Sequence, residues 1–137
     1  MADVFVCYSY FDRELMHRVC ASLHANGLRS LNYDSLSCTD SLLQDVEIAI
    51  TQVWAIVAIS FIGEGRSEWV EREVAIARQL EKCICLVNYT CTIHRTFAVQ
   101  LEGAYAHHTL LDAEVALERL AKFLRSRKSF ERSIMRS

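Results

Sequence analysis

Proline is missing from all 137 residues, and glycine occurs only four times. No low-complexity run, internal repeat or flexible linker breaks the chain, so it reads as one domain over residues 1–128 with a basic tail over 129–137. No apolar run reaches the ~20 residues needed to cross a bilayer, which predicts no membrane span. The N-terminus passes from Met1-Ala2-Asp3 directly into a strand-like run without a signal-peptide pattern, and the expected location is cytoplasmic. Six cysteines are present, at positions 7, 20, 38, 83, 85 and 91, but there is no CxxC pair. Several fall inside apolar periodic segments, as reduced, buried thiols do.

Charge is scarce overall and unevenly placed. The net charge is −2, yet residues 119–137 carry seven basic side chains and one acid, leaving eight basic and sixteen acidic groups elsewhere. An acidic body of this kind argues against a nucleic-acid-binding face. The basic end reads as a solvated helix terminus. A hydrophobic fraction of 52% is ample for a globular core.

The apolar pattern alternates between two periods. Asp3-Val4-Phe5-Val6-Cys7-Tyr8 has the β-branched and aromatic content of a strand. Asp12 is placed to cap a helix with Leu15, Met16, Val19, Cys20 and Leu23 on one face, which Asn26-Gly27 ends. Residues 28–33 predict a short strand, 34–40 a polar loop, and the stretch to Thr51 a helix with Leu42, Val46, Ala49 and Ile50 inward. Residues 53–60 are continuously apolar, as a central parallel strand covered on both faces is. A helix to about Glu81 and an apolar strand at 83–87 follow. Residues 89–102 predict a loop and a short helix at 97–102, and residues 104–110 a weak last strand. Asp112 caps a final helix to about Arg127, with Val115, Leu117, Leu120 and Leu124 inward. This order predicts an α/β flavodoxin-like fold: a five-stranded parallel sheet with helices on both faces, binding ligands at the carboxyl ends of its strands.

Several occupants of such folds are excluded. Ala58-Ile59-Ser60 lacks the aspartate that a phosphate-accepting receiver needs at the end of its third strand. Ser9-Tyr10-Phe11-Asp12 has no glycine for a flavin phosphate cradle, and no P-loop is present. Gly63-Glu64-Gly65 reads as the turn before a helix. Cys91-x-x-His94 and His107-His108 do not supply four ligands at structural zinc spacing, so no metal is expected.

The chain is organised around Ser67-Glu68-Trp69-Val70-Glu71-Arg72-Glu73-Val74. Ser67 is a suitable N-cap, and Glu68 and Glu71 suit the positive end of the helix dipole. At ~100° per residue, Trp69, Val70, Val74, Ile76, Ala77 and Leu80 form one apolar arc. Glu73 lies inside that arc, where a carboxylate is paired, protonated or used.

Three of these stretches resemble a known family. Asp3-Val4-Phe5-Val6-Cys7-Tyr8-Ser9 is similar to the first box of TIR (Toll/interleukin-1 receptor) domains, and Ser67-x-Trp69-Val70-x-x-Glu73-Val74 to their S-x-W-[CV]-x-x-E-[LIV] segment. Asp45-Val46-Glu47-Ile48-Ala49-Ile50 resembles the helix after the family's BB loop. The order is kept over residues 3–126. The chain departs from the family in having Cys7 where Ser is usual, Ser9 and Tyr10 where some animal enzymes are basic, and a 34–40 loop without Arg-Asp or Pro-Gly.

The resemblance is to the enzymatic, bacterial-type members, which cleave NAD+ between nicotinamide and ribose in immune or stress signalling. It implies Glu73 as the catalytic residue, with Ser9, Tyr10, Phe11, Asp34, Ser35 and Trp69 lining the nucleotide. NAD+ is then substrate rather than cofactor. The implied partner is another copy or another TIR protein, engaged through residues 34–40. The residues also allow plainer roles: an ion pair for Glu73, core packing for Trp69, an Asx turn for Asp34, and helix-cap packing for Tyr10 and Phe11. A non-catalytic interaction module is the alternative that those roles would make.

Overall fold

The computed structural model describes residues 2–36, 42–61, 68–90, 96–101 and 112–136. Among them the strands are β1 (Val4–Cys7), β2 (Ser30–Leu31), β3 (Ala55–Phe61), β4 (Cys83–Thr90) and β5 (Thr96–Leu101). The helices are α1 (Arg13–Ala25), α2 (Leu42–Gln52), α3 (Glu68–Gln79) and α4 (Ala113–Arg136). Short 3-10 turns at Tyr10–Asp12 and Tyr33–Ser35 follow β1 and β2.

The strands form one sheet in the order β2-β1-β3-β4-β5. β1 to β4 run parallel, with Cys7 beside Ala58 and Ser60 beside Asn88. β5 runs antiparallel to β4, so the sheet is mixed rather than wholly parallel as expected. The expected helix at 97–102 is this strand instead. Phe97 and Ala98 are buried there, while Val99 is only partly covered. A β-branched and aromatic run of this kind suits the pleated surface better than a helix. The strand expected at 104–110 lies outside the described residues.

Alternation along the strands divides the core into two layers. Val4, Val6, Val57 and Val87 meet Leu15, Val19 and Leu23 of α1 and Leu120 and Leu124 of α4. Phe5, Cys7, Ile56 and Ala58 meet Val46 and Ile50 of α2 and Val70, Val74 and Ala77 of α3. Helices therefore cover both faces of the sheet, as the unbroken apolar stretch of β3 requires. Leu80 and Val115, expected inward, are 42% and 38% exposed. Leu80 lies beyond the last turn of α3, and Ala116 takes the inward position next to Val115. The side chains of Leu42 and Ser67 lie outside the described residues.

The ends of α1 obey different rules. Asp12 does not cap with its side chain, which is committed elsewhere. At the other end Gly27 has φ +77°, and Leu28 N–H and Gly27 N–H donate to the carbonyls of Leu23 and His24 at 2.9 and 3.0 Å. This is the paired Schellman closure, which favours glycine because it has no Cβ to strain. Asp112 does cap α4, accepting from Val115 N–H at 3.0 Å. α4 does not stop at Arg127 but continues helically to Arg136.

Asp3 ties the amino end of the sheet together. Its carboxylate accepts from Arg29 N–H at 2.9 Å, Trp54 Nε1 at 3.0 Å and Lys128 Nζ at 3.1 Å. Burial opposes the charge, but these three donors outweigh it and hold the carboxyl below its usual range. Asp3→Ala removes the shared acceptor of three elements. It is expected to destabilise the fold by about 2 kcal/mol, since Lys128 can turn to water but the backbone and indole donors cannot. Urea unfolding followed by tryptophan fluorescence measures this.

Candidate functional site

Glu73 sits in the middle of α3 and is wholly buried, with 0% of its surface exposed. Its place on the apolar arc, between Trp69 on one side and Ala77, Val70 and Val74 on the other, leads to this burial. It faces Cys7 at the carboxyl end of β1, on the α2/α3 side of the sheet.

The carboxylate has one firm partner. The Tyr33 hydroxyl donates a short hydrogen bond to Glu73 Oε1. Glu73 Oε2 is buried and has no hydrogen-bond partner among the described residues. The Cys7 thiol and the Trp69 side chain approach closely enough to favour the charged form, but neither completes a hydrogen bond of good geometry to Oε2. Among the described residues no cation pairs with Glu73.

Burial pushes the Glu73 carboxyl up to about 7, against the lowering effect of Tyr33, Cys7 and Trp69. The same burial, reinforced by the Glu73 charge, raises the Cys7 thiol well above its ordinary value. Tyr33 is raised too, first by burial and then by Glu73, so its phenol stays protonated and can only donate to the carboxylate.

Aromatic rings frame this pair. Tyr33 lies 4.8 Å from Tyr8 with the rings tilted by 34°, and meets Phe5 and Trp69 edge-on at 5.8 and 6.1 Å. Trp69 is partly buried and packs against the α2/α3 layer while touching the Tyr33 ring, so it belongs to both core and site.

The other expected site residues are not gathered around Glu73. Asp34 is exposed and pairs with Arg13 at 2.9 Å. Ser35 closes a reciprocal capping box with Asn32. Ser9 Oγ donates to Asp12 at 3.0 Å, and Tyr89 donates a short hydrogen bond to the other Asp12 oxygen. That buried Asp12–Tyr89 contact explains why Asp12 does not cap α1. Phe11 is 90% exposed and does not stack at the carboxylate. The side chain of Tyr10 lies outside the described residues. At the ends of β3 and β4, Ser60 Oγ donates to Asn88 Oδ1 at 2.6 Å.

Tyr33, Tyr8 and Cys7 are therefore the neighbours of Glu73 that sequence reasoning did not assign to the site. One signal was available for Tyr33: a large aromatic immediately before Asp34, at the carboxyl end of a predicted strand. Among the described residues no cluster of His, Cys, Asp or Glu has the makings of a metal site. Cys91, His94, His107 and His108 lie outside the described residues. Among those described, no helix is long and apolar enough to cross a membrane.

Chemically, a lone carboxylate with one hydrogen-bonded oxygen and one bare oxygen, among aromatic rings, suits stabilisation of positive charge. It is a poor structural group, because an unpartnered buried oxygen carries its full desolvation cost. No protein-family model matches the chain, and a search of curated proteins finds no match.

Proposed function

We propose that this chain is a TIR-type NAD+ glycohydrolase that breaks the nicotinamide–ribosyl bond, with Glu73 as its catalytic residue. The observation that carries this reading is Glu73 Oε2, a fully buried carboxylate oxygen without a hydrogen-bond partner among the described residues. The α/β sheet with helices on both faces is compatible with the flavodoxin-like fold of that family, the reversed β5 being a departure at one edge.

Nicotinamide leaves as a neutral molecule, so the reaction needs no general acid for its leaving group. Positive charge develops on the anomeric carbon of the ribose. A carboxylate at that carbon stabilises the charge directly or adds to it transiently, as in glycoside hydrolysis. Water then gives ADP-ribose, or an internal nucleophile of the substrate gives a cyclic isomer. Trp69 and the tyrosines flank the carboxylate. Ser9, Asp34, Ser35 and the exposed Phe11 lie on the loops that follow β1 and β2 and would meet the nucleotide from there, and Tyr10 is assigned with them by sequence position. The protein acts in the cytoplasm, in immune or stress signalling, and self-associates or joins another TIR protein through the 34–40 loop.

The test is direct. Concentrated protein is incubated with NAD+ and nicotinamide release is followed chromatographically, with product identification. Release by wild type supports the reading; inert wild type, even when assembled, sinks it.

A second reading draws on a different observation. Glu73 is covered, whereas a groove of about 260 Å³ lies open between the turn after β2 and α2, lined by Leu31, Leu36, Asp45 and Ile48 among others. Ile48 is 49% exposed there. A non-catalytic module assembling through this region retains assembly in Glu73→Ala and turns over no NAD+.

A further inference from the structure

The turn that carries Tyr33 is fastened mainly to itself. β2 pairs with β1 only at Ser30 and Leu31, so the ladder ends before Asn32. Beyond it, Ser35 N–H donates to Asn32 carbonyl at 3.0 Å and Leu36 N–H to Tyr33 carbonyl at 3.2 Å. Asn32 Oδ1 accepts from Asp34 N–H at 2.8 Å, and Ser35 Oγ accepts from Asn32 N–H at 3.2 Å. Four hydrogen bonds thus close within residues 32–36.

Few polar ties run outward. Asn32 Nδ2 reaches Cys20 Sγ at 3.7 Å, a weak contact. Arg13 and Asp34 pair at 2.9 Å, but both side chains are about half exposed, at 56% and 45%. The strong tie is the Tyr33 phenol, which donates to Glu73 Oε1. The turn's other attachment is the packing of Tyr33 and Leu36 against the α2/α3 layer; a unit with internal rigidity and few outward polar bonds moves as a body when that packing is released.

We infer that residues 32–36 form a hinged cap, swinging on the end of β2, whose Tyr33 phenol holds the place that a hydroxyl-bearing ligand of Glu73 occupies when the cap is open. This inference rests on reading Glu73 as the reactive group. In the closed state the phenol supplies one hydroxyl donor to Oε1 and one flat ring between Tyr8 and Trp69. A ligand that replaces it offers the same two features. A ribosyl group carrying a flat heteroaromatic base has both.

Cys7 reports opening without any need for turnover. It is fully buried against Glu73, while Cys85 is buried in the opposite core layer. Pulsed alkylation with iodoacetamide, followed by digestion and mass spectrometry, reads both thiols in the full-length chain. Tyr33→Phe keeps the ring but loses the donor, and is expected to speed alkylation of Cys7 by about tenfold or more. Arg13→Ala loosens only the exposed ion pair and is expected to speed it by about twofold. Cys85 should stay protected in both.

If Cys7 remains as protected in Tyr33→Phe as in wild type, there is no cap and the inference is overturned. If Cys7 and Cys85 become reactive together, the change is general loosening and the inference is equally overturned. Nicotinamide release is measured on the same samples. Selective Cys7 exposure with release accelerated in Arg13→Ala supports both cap and enzyme. Selective exposure with no release in any sample leaves the cap standing and removes the enzyme reading.

Discussion

Glu73→Gln is expected to lower nicotinamide release from NAD+ by roughly 10³-fold, with the fold intact. The exchange keeps the shape of the side chain and an oxygen for the Tyr33 hydroxyl, but removes the negative charge. If catalysis consists of stabilising a cationic ribose, loss of charge is loss of most of the effect. Wild-type release should also rise with pH through the region around 7, because burial raises the Glu73 carboxyl to about 7 and only its ionised form serves. A Glu73→Gln variant that retains full activity assigns the chemistry elsewhere. A wild-type rate flat from about pH 5.5 to 8.5 rules out ionisation of Glu73 as a requirement.

The same variant is expected to gain about 3 kcal/mol of stability at about pH 8.5 relative to wild type. Between pH 4.5, the ordinary value for this carboxyl, and about 7, the folded chain holds a proton on Glu73 that the unfolded chain has released. Raising the pH through that window therefore favours unfolding, and above it the full loss is present. The amide of the variant has no such proton to release, so its stability should be level across the window. Asp3 acts in the opposite sense. Its folded-state value is lowered below the ordinary 3.8, so its contribution is present above that value and disappears as the pH falls beneath it. The two windows do not overlap, and urea midpoints at pH 3, 5 and 8 separate them. An unchanged difference between wild type and Glu73→Gln at pH 5 and 8 contradicts the buried-carboxylate account.

The two core layers were legible because each strand has period two and each helix period 3.6. Val4, Val6 and Val57 on one side and Phe5, Ile56 and Ala58 on the other follow from that alone. Glu73 was legible for the same reason, as a charge where the period demands an apolar residue. β5 was not, since a six-residue apolar run is too short for its period to separate strand from helix, hence the expected helix there. Nor was the Tyr33 contact. It joins residues 40 apart in sequence across two elements, and neither local pattern refers to the other. Asp12 shows how tertiary structure overrides a local preference: its sequence position favours a helix cap, but Tyr89, 77 residues away, takes one oxygen and Ser9 the other. α4 outran its expected end because lysine and arginine are good helix formers, and a basic run is no stop signal.

The unequal strands at the two margins of the sheet restrict how copies of this chain can join. β2 contributes only two residues, both already paired with β1, and then leaves the ladder. That margin offers almost no free row of amide and carbonyl groups to extend by another strand. β5, with six residues paired on one side to β4, is the longer of the two outer strands. Among the described strands, main-chain augmentation would therefore favour β5 over β2, and an association that avoids both margins would be specified by side chains. The first kind of joining tolerates many sequences. The second can be abolished by a single substitution.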